Sequence, residues 1–170
     1  MQEIIKNKNF QDLIIEDKVY KFLEIASFSD LNLTYGCYDS GWIIISREGI
    51  EVIEYNSEKF RYISFLKFIE ISTPLIKEEI QKRIIENHNC LELFPIENVL
   101  HLILHMESDY WLNLCINLLI DMNYKNQYIN EILNEVLNKS WISQKVKHKV
   151  LKLLKPPAPD RSDMPPIARI

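Results

Sequence analysis

The apolar positions of this chain change period along its length. Between residues 9 and 27, Ile15, Val19, Phe22, Leu23 and Ala26 recur at helical spacing, with Glu16, Asp17, Lys18, Lys21 and Glu24 on the other face, and this predicts an amphipathic helix. From Leu31 the period shortens to two. Leu31, Leu33, Tyr35 and Cys37 alternate with Asn32, Thr34, Gly36 and Tyr38, the pattern of a half-buried strand. Asp39-Ser40-Gly41 and Arg47-Glu48-Gly49 each supply glycine where a tight reversal needs positive φ. They bracket the β-branched run 42–46, and a further strand follows over 50–55. The expectation is a three-stranded antiparallel meander near residues 31–55.

Beyond the meander the pattern is helical. Tyr62, Phe65, Leu66 and Ile69 suit a helix, although the aromatic and β-branched content of 57–72 would tolerate a strand. Thr73-Pro74 reads as a capping hydroxyl followed by proline in the first turn, with Ile76, Ile80 and Ile84 on one face and an end near 87–89. Pro95 opens a helix with the stripe Ile96, Val99, Leu100 and Ile103. Ser108 and Asp109 cap a segment in which only Asn113 and Asn117 are clearly polar, which places that helix at the centre of the core. Ile129, Ile132, Leu133 and Val136 mark another helix, and Ser143 caps a last one with Val146, Val150 and Leu153 inward. The short polar joints between these helices imply helical hairpins stacked side by side. The expected fold class is therefore mainly α (α+β), with helical hairpins packed around the small meander.

Composition narrows the picture. A chain of 170 residues with 47% hydrophobic and 26% charged positions fits one domain with a continuous core, read here as residues 1–155. The remainder, PPAPDRSDMPPIARI, holds five of the seven prolines and predicts an extended tail over 156–170. The first residues lack the basic flank and apolar block of a secretory signal, and no apolar run is long enough to span a bilayer. Cys37, Cys90 and Cys115 are odd in number and without CxxC pairing, which fits free thiols in a reducing compartment. The expected location is the cytoplasm, with no membrane partner.

Charge is unevenly spread. Up to Met122 there are 11 Lys+Arg against 20 Asp+Glu, and after it 9 against 4, an acidic body of −9 joined to a basic segment of +5. The acidic part argues against general nucleic-acid coating and leaves open an electropositive protein partner. Asp39, Glu48, Glu51, Glu54 and Glu58, with Trp42 and Tyr55 nearby, gather around the expected turns and outer strand as an acidic, aromatic-studded binding surface. The plainer account is that edge strands carry charge to avoid aggregation.

Catalytic and cofactor signals are weak. Glu97, His101 and His105 are spaced by four and share one helix side, as metal ligands can, but that side lies opposite the apolar stripe and lacks the HExxH pattern. An ordinary polar face is the preferred reading, and His88 and Cys90 add no paired ligand motif. No GxSxG elbow, Cys-His signature or phosphate-cradling glycine loop occurs. The expectation is a non-enzyme with no cofactor and no metal. Lys145, Lys147, His148, Lys149, Lys152 and Lys155 make the last helix the most basic surface. That gives an alternative reading as a helical nucleic-acid-associated regulator, set against simple complementation of the helix dipole.

The stretch YWLNLCINLLIDM (110–122) and the stretch ILNEVLNKSWISQKVKHKVLKLLK (132–155) resemble the C-terminal helical pattern of immunity proteins in bacterial polymorphic-toxin and contact-dependent inhibition systems. The features that carry the resemblance are Trp111, Leu114 and Leu118 on a buried helix, then Ser143-Gln144-Lys145 leading into Lys147-His148 and Lys152. The resemblance implies a small cytosolic protein that binds one cognate toxin domain and blocks it without catalysis. Many such toxins attack nucleic acids and are basic, so an acidic body would speed and orient their capture.

Overall fold

The computed structural model describes residues 9–83 and 88–155. The expected tail at 156–170, residues 1–8 weighed for a signal and Ile84 lie outside the described residues, and the helix expected to end near 87–89 stops earlier, at Gln81. The order is five strands, β1 (Gln11–Ile15), β2 (Lys18–Phe28), β3 (Leu33–Tyr38), β4 (Gly41–Ser46) and β5 (Gly49–Glu54). Six helices follow, α1 (Leu66–Glu70), α2 (Thr73–Gln81), α3 (Ile96–His105), α4 (Asp109–Asp121), α5 (Gln127–Val136) and α6 (Gln144–Leu154). The strands form one antiparallel sheet in sequence order.

This corrects the expected fold class. The fold is α+β with a five-stranded sheet, and the meander of 31–55 is only the later part of it. The expected helix over 9–27 is the β1–β2 hairpin, with Ile15 opposite Lys18 and Gln11 opposite Phe22. Its turn is Glu16-Asp17, both left-handed at φ 46° and 63°, the conformation of a type I′ reversal without the glycine or asparagine that normally announces one. From Phe22 onward β2 is buried on both faces. Leu23, Ala26 and Phe28 join the main core while Phe22 is buried on the opposite side, and the register shifts between Glu24 and Ala26. Pairs of neighbouring apolar residues then imitate helical spacing, although the β-branched and aromatic content favours the sheet.

Close approach explains two glycines. A Cβ on Gly36 would lie 2.1 Å from the Phe22 ring, which packs over that point on the outer face. A Cβ on Gly41 would lie 2.1 Å from the Ile53 carbonyl oxygen. The expected positive φ holds at Gly49, at 132°, and not at Gly41, whose requirement is space against β5. Gly41→Ala is expected to lower stability by about 1–3 kcal/mol because backbone, not a flexible side chain, must move. Chemical denaturation checks this, and an unchanged midpoint would contradict it.

The helices pack on one face of the sheet. Tyr35, Trp42, Phe65, Phe68 and Phe94 form its aromatic centre, with Phe68 stacked on Phe94 at 4.0 Å and Trp42 stacked on Phe94 at 5.7 Å between ring centroids. The segment 57–72 is helical as favoured, a 3₁₀ turn over Lys59–Phe65 running into α1. The cap of α2 is Ser72, with Thr73 the first helical residue, and the Thr73 hydroxyl instead donates to Asp121. Ser108, Asn126 and Ser143 accept the backbone N–H of Trp111, Ile129 and Val146 and so start α4, α5 and α6. Leu112, Cys115, Ile116 and Leu119 of α4 are buried. Its polar Asn113 and Asn117 each accept from Lys149 Nζ of α6 at 2.7 Å.

Candidate functional site

The expected acidic surface is divided by the sheet. Glu48 precedes β5 and Glu54 ends it, and a strand of that length separates its ends by roughly 17–20 Å. Asp39, Glu54 and Tyr55 remain together, because the β3–β4 turn lies beside the exit from β5, and Glu58 follows three residues after Tyr55. The Tyr55 N–H donates to Ser40 O at 3.0 Å and its hydroxyl donates to Tyr38 O at 3.4 Å. Below it the hydroxyl of buried Tyr62 donates to Tyr55 O at 3.0 Å. Backbone bonds from Ser57 to Glu54 O and from Arg61 to Glu58 O, 3.0 Å each, hold the following turns.

The result is a rigid, acidic, tyrosine-bearing end of the sheet. Asp39, Glu54 and Glu58 are exposed, and among the described residues none of them forms an ion pair. Tyr55 is 46% exposed. Burial of part of its ring, then the Cys37 thiol, Tyr38 and Asp39 nearby, push its hydroxyl up to about 12, so it presents a neutral phenol. Tyr38 is half-buried and takes the edge of Tyr20 at 5.2 Å. Sequence reasoning missed both: Tyr38 flanks the same turn as Asp39 and could have been found there, whereas Tyr20 was assigned to a helix.

The other residues of the expected surface have different roles. Trp42 is 1% exposed and packs against Phe65 and Phe94. It belongs to the core and is withdrawn from the binding surface, because the side of β4 that carries it faces the helices. Glu51 accepts the Ser64 hydroxyl and ties β5 to the 3₁₀ turn. Glu48 pairs with Lys67 at 3.0 Å on the wall of a surface cleft of about 650 Å³, lined also by Asp30, Leu31, Arg47, Ile71 and Leu75. Much of the charge there is satisfied internally. Tyr110 donates to Glu70 at 3.2 Å, and the Asn32 amide oxygen, turned toward Arg47, accepts from two guanidinium nitrogens at 3.0 Å.

The remaining candidates are placed as follows. Glu97 accepts from Asn126 Nδ2 at 2.8 Å and His101 meets the edge of Tyr128 at 6.0 Å. His88 Nδ1 pairs with Glu92 at 2.9 Å, and the Cys90 side chain lies outside what is described. Among the described residues no group of three His, Cys, Asp or Glu could hold a metal ion. Lys149 is committed to Asn113 and Asn117, which narrows the basic face of α6 to Lys145, His148, Lys152 and Lys155 as its exposed members. Among the described residues no helix is long and apolar enough to cross a membrane.

Burial pushes the Cys37 thiol up to about 11 and the Cys115 thiol up to about 12, so both stay protonated and poorly nucleophilic. Unfolding returns them to the ordinary value near 9. The stability they contribute is complete below that value and is lost as pH rises toward the folded values. In a Cys90→Ser background, a thiol reagent at mildly alkaline pH is expected to label neither cysteine until urea unfolds the protein. Rapid labelling of the native protein would contradict the burial.

Comparison with family models, with curated proteins and with solved structures finds no match to this chain.

Proposed function

We propose that this chain is a non-catalytic binding protein that captures a basic domain of another protein through Asp39, Glu54, Tyr55 and Glu58. The resemblance of its C-terminal helices to immunity proteins makes the preferred partner a cognate bacterial toxin domain, neutralised in the cytoplasm. One observation carries the reading: three exposed carboxylates with no ion pair among the described residues lie on the two turns that hold a fixed, half-exposed tyrosine. Like-charged groups held together at a surface repel one another, and a positive partner relieves that repulsion. Such a field raises association rates and orients the encounter, while a tyrosine supplies contact area at low entropic cost.

The division of labour follows from the fold. The sheet end fixes the carboxylates on two adjacent turns, and the helical layer supplies the core that holds those turns still. Co-expression with the protein encoded immediately upstream, followed by affinity purification, is expected to give a stoichiometric complex that weakens as salt rises. Failure to recover such a complex would remove the toxin reading.

A further inference from the structure

The two edges of the sheet are finished differently. Along β5, Arg61 Nη2 donates to the Val52 carbonyl at 2.9 Å, so a side chain occupies the edge that another strand would need. β1 lies at the opposite edge and, among the described residues, pairs only with β2. Its sequence, QDLII, contains no proline or lysine, two of the devices that spoil an edge, and its one charge, Asp12, is paired with Lys21 inside the hairpin. The hairpin register determines which backbone groups are free. Ile15 and Lys18 flank a two-residue turn, so Ile15, Leu13 and Gln11 exchange hydrogen bonds with β2, and the N–H and C=O of Asp12 and Ile14 point away from the sheet. Ile14 is 70% exposed and its cross-strand neighbour Val19 is 61% exposed. They form an apolar pair on the side of the ribbon that carries the Asp12–Lys21 ion pair.

We propose that the free edge of β1 pairs with β1 of a second copy of this chain, antiparallel and centred on Leu13, joining two sheets into one. Charge selects this register. Outward groups meet outward groups only when the two-fold axis passes through Asp12, Leu13 or Ile14. An axis at Asp12 sets that carboxylate against itself, and one at Ile14 sets Asp12 against Glu16; both place like charges opposite each other. An axis at Leu13 sets Asp12 opposite Ile14 and Gln11 opposite Ile15, with Leu13 facing its own copy, and no like charges meet. The exposed Ile14–Val19 pairs of the two copies then adjoin across the axis. A seam of five residues a side falls at the small end of interfaces, under about 1,200 Å² in total, so the dimer is weak and forms at high protein concentration.

Sedimentation velocity on the full chain, from micromolar to millimolar concentration, is expected to show a reversible monomer–dimer equilibrium. Ile14→Pro removes an outward N–H and no hairpin bond, and proline is tolerated on an edge strand. It should keep the circular dichroism spectrum and weaken dimerisation about 10- to 100-fold by deleting half of the seam's hydrogen bonds. Facing Leu13 residues form a non-hydrogen-bonded pair with Cα atoms about 4.5 Å apart, within disulfide range. In a Cys90→Ser background, Leu13→Cys should therefore cross-link under mild oxidation and Ile15→Cys should not. A chain that stays monomeric throughout, a dimer indifferent to Ile14→Pro, or equal cross-linking at both positions would overturn the proposal.

Discussion

Trp42→Ala is expected to lower the unfolding free energy by about 3–5 kcal/mol, the range for deleting a large aromatic side chain from a packed core. The indole is 1% exposed and sits between Phe65 and Phe94, with ring centroids at 5.4 and 5.7 Å. Its removal forfeits those contacts and leaves a cavity where β4, the 3₁₀ turn and the segment before α3 meet. A domain of this size has about 5–15 kcal/mol of stability in all, so much of the protein would unfold on modest warming. Urea denaturation monitored by far-ultraviolet circular dichroism measures the loss, and a decrease under about 1 kcal/mol would place Trp42 outside the core. Any fall in partner binding by this variant would report unfolding rather than a lost contact, which is why Trp42 is not used to map the interface.

Where burial was one-sided, the sequence was readable. The stripes of α3, α5 and α6 face the core as their spacing requires, and Ser108 and Ser143 accept the expected capping bonds. Leu33, Tyr35 and Cys37 alternate inward because the helices cover only that face of β3. The β1–β2 hairpin was unreadable by the same logic. The Phe22 ring closes over Gly36 on the outer face while Leu23 is buried on the other, so neighbouring residues are both apolar and the two-residue period disappears. The hairpin also curls over the outer face, where Ile15 and Tyr20 line a cleft of about 350 Å³ with Ile50, Val52 and Arg61. A turn made of Glu16 and Asp17 at positive φ gave no composition cue.

Half of the candidate site was legible for a related reason. Acidic residues near turns are visible in a sequence, but their end of the sheet depends on strand direction. Asp39, Glu54, Tyr55 and Glu58 converge because β3 and β5 run the same way, and Glu48 is carried to the far end. Trp42 was misplaced because the alternation of β4 was read without its partner layer. Ile44 shares the core cluster with it, and Ile43 is buried outside that cluster, so apolarity alone could not show which side met the helices.

The second large effect concerns the partner. The combined variant Asp39→Lys, Glu54→Lys and Glu58→Lys should fold normally, because among the described residues none of these carboxylates gives up an ion pair. Surface changes of this kind each shift stability by about 0.5 kcal/mol or less. Reversal replaces attraction for a basic partner by repulsion, and at low salt the association rate should fall about 10- to 1,000-fold. Stopped-flow binding separates the rate from the lifetime of the complex. The ratio between the natural chain and the variant should shrink as salt screens the field. A variant that associates at the natural rate at low salt would show that these three groups do not guide the encounter.

Hydrogen–deuterium exchange on the free chain and on its purified complex tests most directly whether the acidic sheet end is the contact. Added protection should appear at the β3–β4 turn around Asp39 and Ser40 and over residues 54–58. Protection confined to α6, or to the cleft between Asp30 and Leu75, would contradict the account.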